Sequence, residues 1–280
     1  MNLREAIAAA ASRLEGSDAL RDAQLLLLHT LALPRTALFT EQGRELIGAE
    51  RTEYEAAIAR RARGEPIQYI TGQQEFYGLM LKVSPAVLIP RPETELLVEA
   101  VLARLPADRR ARLVDVGTGS GAIAIALAKH MPLAQFTAVD LSPAALAVAH
   151  QNANAHGLAN RIRFLQSNLL ETLPDEPPFD AIVSNPPYIP ETDRESLHRQ
   201  VRDYEPAMAL FAGIDGLEVY RRLIPQAFAA LQSGGLLAME IGYGQREAIA
   251  VLLAQWSGVE FLTDLQGIPR VVLARRDAIE

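Results

Sequence analysis

Residues 113–127 read LVDVGTGSGAIAIAL. LVDV is short and apolar enough for a buried strand, GTGSG bends the chain back on itself, and AIAIAL continues as a helix. A strand, a glycine-rich turn and a helix in direct succession open a βαβ unit, which belongs in a parallel sheet covered by helices. Gly117, Gly119 and Gly121 take turn conformations closed to other side chains and let the backbone approach a ligand closely. Asp115 ends this strand, and Asp140 ends the next one in QFTAVD. An acid at that second position can accept hydrogen bonds from both ribose hydroxyls of an adenosine, so the pair reads as a nucleoside site at the carboxyl edge of the sheet. The loop alone does not choose the nucleoside. Gly117, Gly119 and Ala122 also satisfy the G-x-G-x-x-G/A dinucleotide pattern, with Asp140 near the distance suited to NAD. Glycines serving only a tight turn are a third reading. No Gly-Lys-Ser/Thr follows, which sets aside an ATP P-loop.

Outward from this stretch, strands and helices alternate. RLVDV, QFTAVD, RIRFLQ, DAIVSN, GGLLAMEIG, VEFLTDL and RVVLARR are strand-like, and GAIAIALAKHM, PAALAVAHQNANAHG and LEVYRRLIPQAFAAL between them are helical. The alternation predicts an α/β fold with an open, doubly wound sheet of seven strands. Upstream the texture is helical. LREAIAAAASRL puts Leu3, Ile7, Ala10, Ala11 and Leu14 on one stripe. SDALRDAQLLLLHTLAL repeats the pattern through Leu26, Leu27 and Leu31, with Ser17 or Asp18 as N-cap and Pro34 as terminator. ERTEYEAAIARRARGEP gives a third helix with Tyr54, Ile58 and Ala62 inward, closed by Gly64 and Pro66. QEFYGLMLKVSPAVLIP alternates around a glycine and reads as a hairpin. The expected organisation is a helical bundle over 1–73, a hairpin linker over 74–88 and the α/β domain over 89–280.

Bulk properties narrow the function. The 280 residues, 49% hydrophobic and 22% charged, suit a globular chain with a sizeable core. A net charge of -7 gives no global basic field for nucleic acid. Cysteine is absent, which excludes disulfides and thiolate chemistry. The five histidines are scattered without HExxH spacing, so no metal site is expected. The start, MNLREAIAAA, lacks a signal-peptide core, and no apolar run approaches the about 20 residues of a membrane span. A cytoplasmic protein free of the membrane is the expectation.

The fourth strand ends in SNPPYIP, residues 184–190. Proline cannot continue a central strand, so the strand stops on a stiff corner at the edge where the glycine loop lies. That corner suits methyl transfer to a planar nitrogen. The Asn185 side-chain oxygen can accept one N–H of a target NH2 group and the Pro186 carbonyl the other. Pro186 and Pro187 fix those acceptors in advance, and Tyr188 can stack on a flat amide or base. The bland alternative is a rigid loop in which Asn185 caps a turn. Hydride transfer has no use for such a corner.

Taken together, these words resemble the HemK/PrmC family. The more specific matches are GEPIQYITG (64–72), EFYGL (75–79), LIPRPETE (88–95), VDVGTGSGAIAIALA (114–128), VSNPPYIP (183–190) and EPAMALFAGIDGL (205–217), and they run through nearly the whole chain. The resemblance implies a Rossmann-like class I methyltransferase domain that transfers a methyl group from S-adenosyl-L-methionine to the side-chain amide nitrogen, N5, of the glutamine in the Gly-Gly-Gln motif of peptide-chain release factors, modulating translation termination. It implies the cofactor on Gly117, Thr118, Gly119, Ser120 and Gly121, its ribose on Asp140 and its adenine near Asn168 and Leu169. It places the target at Asn185, Pro186, Pro187 and Tyr188, with Asn185 also at the cofactor. Some relatives carry an aromatic residue near the adenine, where this chain has Ser-Asn-Leu at 167–169, leaving Asn168 to bond the base. LIPRPETE is placed beside the cofactor, although Arg91 could equally pair with a carboxylate and Glu93 cap the following helix. The expected partner is a class I release factor, contacted by a monomer whose helical bundle helps to dock it, with no direct nucleic-acid contact. The rivals are a nucleic-acid amino-methyltransferase, which would need a basic channel and an extruded base, and a non-catalytic nucleoside-binding regulator. The Asn-Pro-Pro-Tyr corner is shared with adenine and cytosine amino-methyltransferases, so the other segments carry the choice.

Overall fold

The computed structural model describes residues 1–173 and 175–277. They divide into two compact units, the first formed by Met1–Gln73 with His198–Tyr204 and the second by Gln74–Leu197 with Glu205–Glu280.

The first unit opens with α1 (Leu3–Ala11), α2 (Ala19–Thr30), α3 (Ala37–Thr40), α4 (Gly48–Ala62) and α5 (Ile67–Thr71). Asn2 starts α1 with a capping box: its side chain accepts from Glu5 N at 2.9 Å, and the Glu5 carboxylate accepts from Asn2 N at 3.1 Å. Leu3, Ala6, Ala10, Leu26, Leu27, Tyr54, Ile58 and Ile70 form its core. The Tyr54 hydroxyl finds Ala23 O at 3.0 Å, as a buried phenol requires. One sequence expectation needs correction, and another holds in position only. Ala62 is exposed, because α4 ends there and Gly64, at φ +93°, turns the chain away. Asp18 holds the cap position of α2, but at φ -91° and ψ 2° its backbone is not extended and its side chain makes no cap bond.

At the boundary, with Gln73 still counted in the first unit, stands a hairpin, β1 (Gln73–Phe76) and β2 (Leu79–Lys82), turned by Tyr77 and Gly78 at φ 51° and 72°. Two central residues at positive φ match the right-handed twist of the flanking strands. Then come α6 (Glu95–Leu102), β3 (Arg112–Val116), α7 (Ala122–His130), β4 (Gln135–Asp140), α8 (Pro143–Ala155), β5 (Ile162–Gln166), β6 (Phe179–Ser184), α9 (Arg199–Tyr204, part of the first unit), α10 (Glu218–Ala230), β7 (Leu231–Glu240), α11 (Arg246–Leu252), β8 (Ser257–Thr263) and β9 (Pro269–Arg275).

The seven strands after the hairpin form one sheet in the order β5-β4-β3-β6-β7-β9-β8, parallel except that β9 runs antiparallel to both neighbours. Alternation along β3 feeds two cores. Leu113 packs with Leu97, Val101 and Leu127 on one face, while Val114 and Val116 pack with Tyr220, Leu223 and Ile249 on the other. From β3 the chain winds outward to β4 and β5, then returns to lay β6 along the opposite side of β3, with Val116 beside Ser184. The order therefore reverses between β3 and β6, and such a switch point leaves a crevice beyond the carboxyl ends of the strands.

Candidate active site

Two loops leave the sheet at that crevice, one after β3 and one after β6. In the first, Gly117 N and Thr118 N both donate to Val139 O at 2.9 Å, which folds the turn toward the end of β4. Gly119 N then donates to Asp140 Oδ2 and Ser142 N to Asp140 Oδ1, each at 2.9 Å. Asp140 is thus fixed by two backbone amides, and its carboxyl sits above the usual range because burial outweighs those bonds. Asp115 lies deeper. Its Oδ2 accepts from Thr118 Oγ1 at 2.6 Å and Ala124 N at 3.2 Å, and its Oδ1 has no partner among the described residues. Burial pushes it up to about 7. It holds the turn to the first turn of α7 rather than facing the crevice.

The crevice contains a cavity of about 220 Å³. Gly117, Thr118, Gly119, Ser120, Asp140, Asn168, Leu169, Asn185 and Pro187, all singled out in the sequence, line it. Gly121, Pro186 and Tyr188 stand outside the lining. Gly121 has a packing job: at φ +82° a Cβ there would meet Ile125 Cδ1 at 3.0 Å and Ala149 Cβ at 3.2 Å, so glycine lets α7 and α8 approach. Leu169 holds φ 55°, an uncommon backbone state for a leucine, where the loop after β5 reaches the cavity. Asn168 is already engaged, donating to Glu171 Oε1 at 3.0 Å and accepting from Arg222 Nη2 at 2.8 Å.

At the corner, Asn185 Nδ2 donates to Thr94 Oγ1 at 3.0 Å, and Thr94 Oγ1 donates to Glu240 Oε2 at 2.6 Å. The Tyr188 hydroxyl reaches Glu240 Oε1 at 3.3 Å, and its carbonyl accepts from Gln245 Nε2 at 2.9 Å. The Tyr188 ring packs on the second core and burial raises its phenol, so the aromatic surface assigned to stacking by the sequence is tied into the scaffold. Glu240 is 2% exposed and burial pushes its carboxyl up to about 7. Arg91 pairs with the buried Glu205, which also accepts from Ile89 N at 3.1 Å, clamping two cavity-lining segments together. Glu93 does not cap α6; Thr94 occupies that cap position and makes no cap bond, its hydroxyl being committed to Glu240 and Asn185. Thr94 falls within LIPRPETE and Glu240 within the strand GGLLAMEIG, but the sequence assigned neither a role. Pro206, Met208 and Ala209 of the apolar wall likewise lie in a quoted segment, EPAMALFAGIDGL, without an assigned role.

A family model described as the PrmC N-terminal domain matches residues 5–72, and one described as the methyltransferase small domain matches 92–202. A release factor glutamine methyltransferase of Koribacter versatilis is 47% identical over 99% of both chains. One of Moorella thermoacetica is 45% identical, again over 99% of each. The chain belongs to the release factor glutamine methyltransferase family. Solved structures bear on the fold of this family member. The T. thermophilus 16S rRNA N2 G1207 methyltransferase in complex with AdoMet and guanosine superposes with a TM-score of 0.55 at 22% identity, covering 73% of this chain and 49% of that one. The hMettl16 catalytic domain in complex with an RNA hairpin gives 0.57 at 16% identity, covering 85% and 86%. The sheet order is accordingly that of a class I methyltransferase.

Proposed function

We propose that this methyltransferase transfers the methyl group of S-adenosyl-L-methionine to the side-chain amide nitrogen of the glutamine in the Gly-Gly-Gln motif of class I release factors. The observation that carries the reading is the placement of Asn185 in one cavity with the Gly117–Ser120 turn and Asp140, with the NH2 end of its amide held by Thr94. The residues suit the cofactor. Nothing lies within 4 Å of a Cβ built on Gly117 or Gly119, which leaves the turn open to close approach. The Asp140 carboxylate keeps lone pairs beyond its two amide bonds, as a ribose diol requires. When bound, S-adenosyl-L-methionine supplies an electrophilic methyl group on a sulfonium sulfur.

The chain's own part is to make a poor nucleophile usable. An amide nitrogen shares its lone pair with the carbonyl. Asn185 Oδ1 accepts one N–H of the target and the Pro186 carbonyl the other, which favours a more pyramidal nitrogen. As the nitrogen becomes cationic, the two fixed oxygens stabilise the growing charge. Pro186 and Pro187 hold those oxygens before the substrate arrives, and alignment supplies much of the acceleration. The apolar wall of Leu169, Met208 and Ala209 favours a transition state in which charge disperses.

We further place the enzyme in the cytoplasm as a monomer that does not bind nucleic acid, with its first unit contacting the release factor. A net charge of -7 supports the exclusion of nucleic acid. Among the described residues no helix is long and apolar enough to cross a membrane. The protein is incubated with labelled methyl donor and either a release factor or DNA and RNA. One added methyl on the Gly-Gly-Gln glutamine, found by mass spectrometry, is expected. Label in nucleic acid alone would replace this reading with the amino-methyltransferase one, and label in neither would point to a binding protein.

A further inference from the structure

Thr94 and Glu240 adjoin the corner, yet no motif assigns them a role. The Thr94 hydroxyl has one hydrogen, given to Glu240 Oε2 at 2.6 Å. In its ionised form, above about pH 7, the Glu240 carboxylate only accepts, which fixes that direction. Toward Asn185 the hydroxyl is left with lone pairs, and it takes a hydrogen from Nδ2 at 3.0 Å. The two ends of an asparagine amide are nearly equal in shape and opposite in chemistry. Turned over, the Asn185 amide would set its oxygen against the Thr94 oxygen with no hydrogen between them. Thr94 therefore selects the end of the amide that is free, and the free end is Oδ1. The same carboxylate accepts from the Tyr188 hydroxyl at 3.3 Å, so one buried acid braces both ends of the corner. A carboxylate at this depth is costly, and an apolar residue of similar size would pack there more cheaply. Its position at the end of β7, beside the corner, gives the acid a reason to be there.

We propose that Thr94 and Glu240 are positioning residues: the Glu240 carboxylate orients the Thr94 hydroxyl, and the hydroxyl holds the Asn185 amide with its oxygen presented to the target nitrogen. The inference rests on the proposed role of Asn185 as acceptor. It separates a hydroxyl that orients from a side chain that merely fills space. Valine keeps the shape of threonine and loses the hydroxyl; serine keeps the hydroxyl and loses a methyl. If Thr94 orients Asn185, valine is the damaging substitution. If Thr94 only packs, serine is.

The test compares Thr94→Val, Thr94→Ser, Asn185→Ala and the Thr94→Val/Asn185→Ala double variant in the full chain. Methylation of intact release factor is followed, with S-adenosyl-L-methionine affinity and circular dichroism as controls. Thr94→Val is expected to lower kcat by about tenfold or more, with KM and cofactor affinity within about threefold of wild type. Thr94→Ser should recover most of that rate. Because Thr94 acts through Asn185, the valine should cost little further once Asn185 is alanine. The same comparison with Thr94→Ala guards against loss of fold in the valine variant. A Thr94→Val enzyme with normal kcat beside a crippled Asn185→Ala enzyme overturns the inference and leaves the function standing. So does a serine variant as slow as the valine one, or an additive double variant. Normal kcat in Asn185→Ala removes the reading of Asn185 itself, and the inference with it.

Discussion

At the scale of single residues, the chemistry concentrates on Asn185 and Asp140. Asn185→Ala removes one oxygen from a nitrogen that is becoming cationic, so kcat should fall about 10²–10³-fold with cofactor affinity within about tenfold of wild type. Asn185→Asp is a sharper probe, because it keeps an oxygen but loses the NH2 that Thr94 holds; it should be as slow, measured as single-turnover methylation of release factor. Asp140→Ala should weaken S-adenosyl-L-methionine binding by about 1.5–3 kcal/mol, read by calorimetry, since it deletes an acceptor and also releases Gly119 N. Unchanged affinity would take Asp140 out of the site. These residues were legible because each lies in a short contiguous word whose spacing carries the chemistry. Thr94 lies in such a word too, LIPRPETE, but its contact with Glu240 was not legible, since the two meet across 146 positions of sequence. No local pattern reports a hydrogen bond of that span.

At the scale of elements, periodicity carried the reading well where one face or both faces of a strand or helix are buried. Residues 112–116 and 135–140 are strands as expected, and the hairpin turns at Gly78. What periodicity could not supply was adjacency: that β6 lies against β3, bringing the corner to the glycine turn, is a property of the winding. The joint between β3 and α7 carries a prediction of its own. Asp115 bridges the two through Thr118 Oγ1 and Ala124 N, and burial raises its pKa to about 7. Native protein therefore holds this proton where the unfolded chain, titrating near the usual value of about 3.9, has released it. The resulting stability is full below the unfolded pKa and is lost as pH rises toward about 7. Glu240, also raised to about 7, acts in the same direction. Glu176, Asp215 and Asp264 are held low by arginines and backbone amides, and lose stability in the opposite sense as pH falls. Comparing Asp115→Asn with wild type isolates the one group. Between pH of about 4 and about 7, the melting temperature of the ligand-free variant should gain on that of wild type as pH rises. A constant gap across that window would mean that Asp115 is ionised throughout.

At the scale of the whole molecule, the sequence showed a helical stretch followed by an α/β stretch. It gave no sign that His198–Tyr204, late in the chain, clusters with the first unit, because a short polar helix without a buried side chain carries no label for the unit it belongs to. Every residue lining the cavity belongs to the second unit, between Ala86 and Arg222. The first unit has its own core around Leu26, Leu27, Tyr54 and Ile58, and none of its described residues is among those lining the cavity. Its role is therefore separable from chemistry by choice of substrate. Suppose it docks the release factor beyond the Gly-Gly-Gln loop. Binding energy from such remote contacts is lost when the substrate is cut to a short peptide, so the full chain should use the peptide at a kcat/KM at least about tenfold below that for intact factor. Residues 74–280 alone, verified as folded by circular dichroism and by unchanged S-adenosyl-L-methionine affinity, should then treat peptide and intact factor alike, at the rate the full chain shows for the peptide. If the truncated and full-length enzymes methylate intact factor equally well, the first unit is not a docking element and only stabilises the fold. If peptide and intact factor are equivalent even for the full chain, the whole of substrate recognition lies in the crevice between β3 and β6.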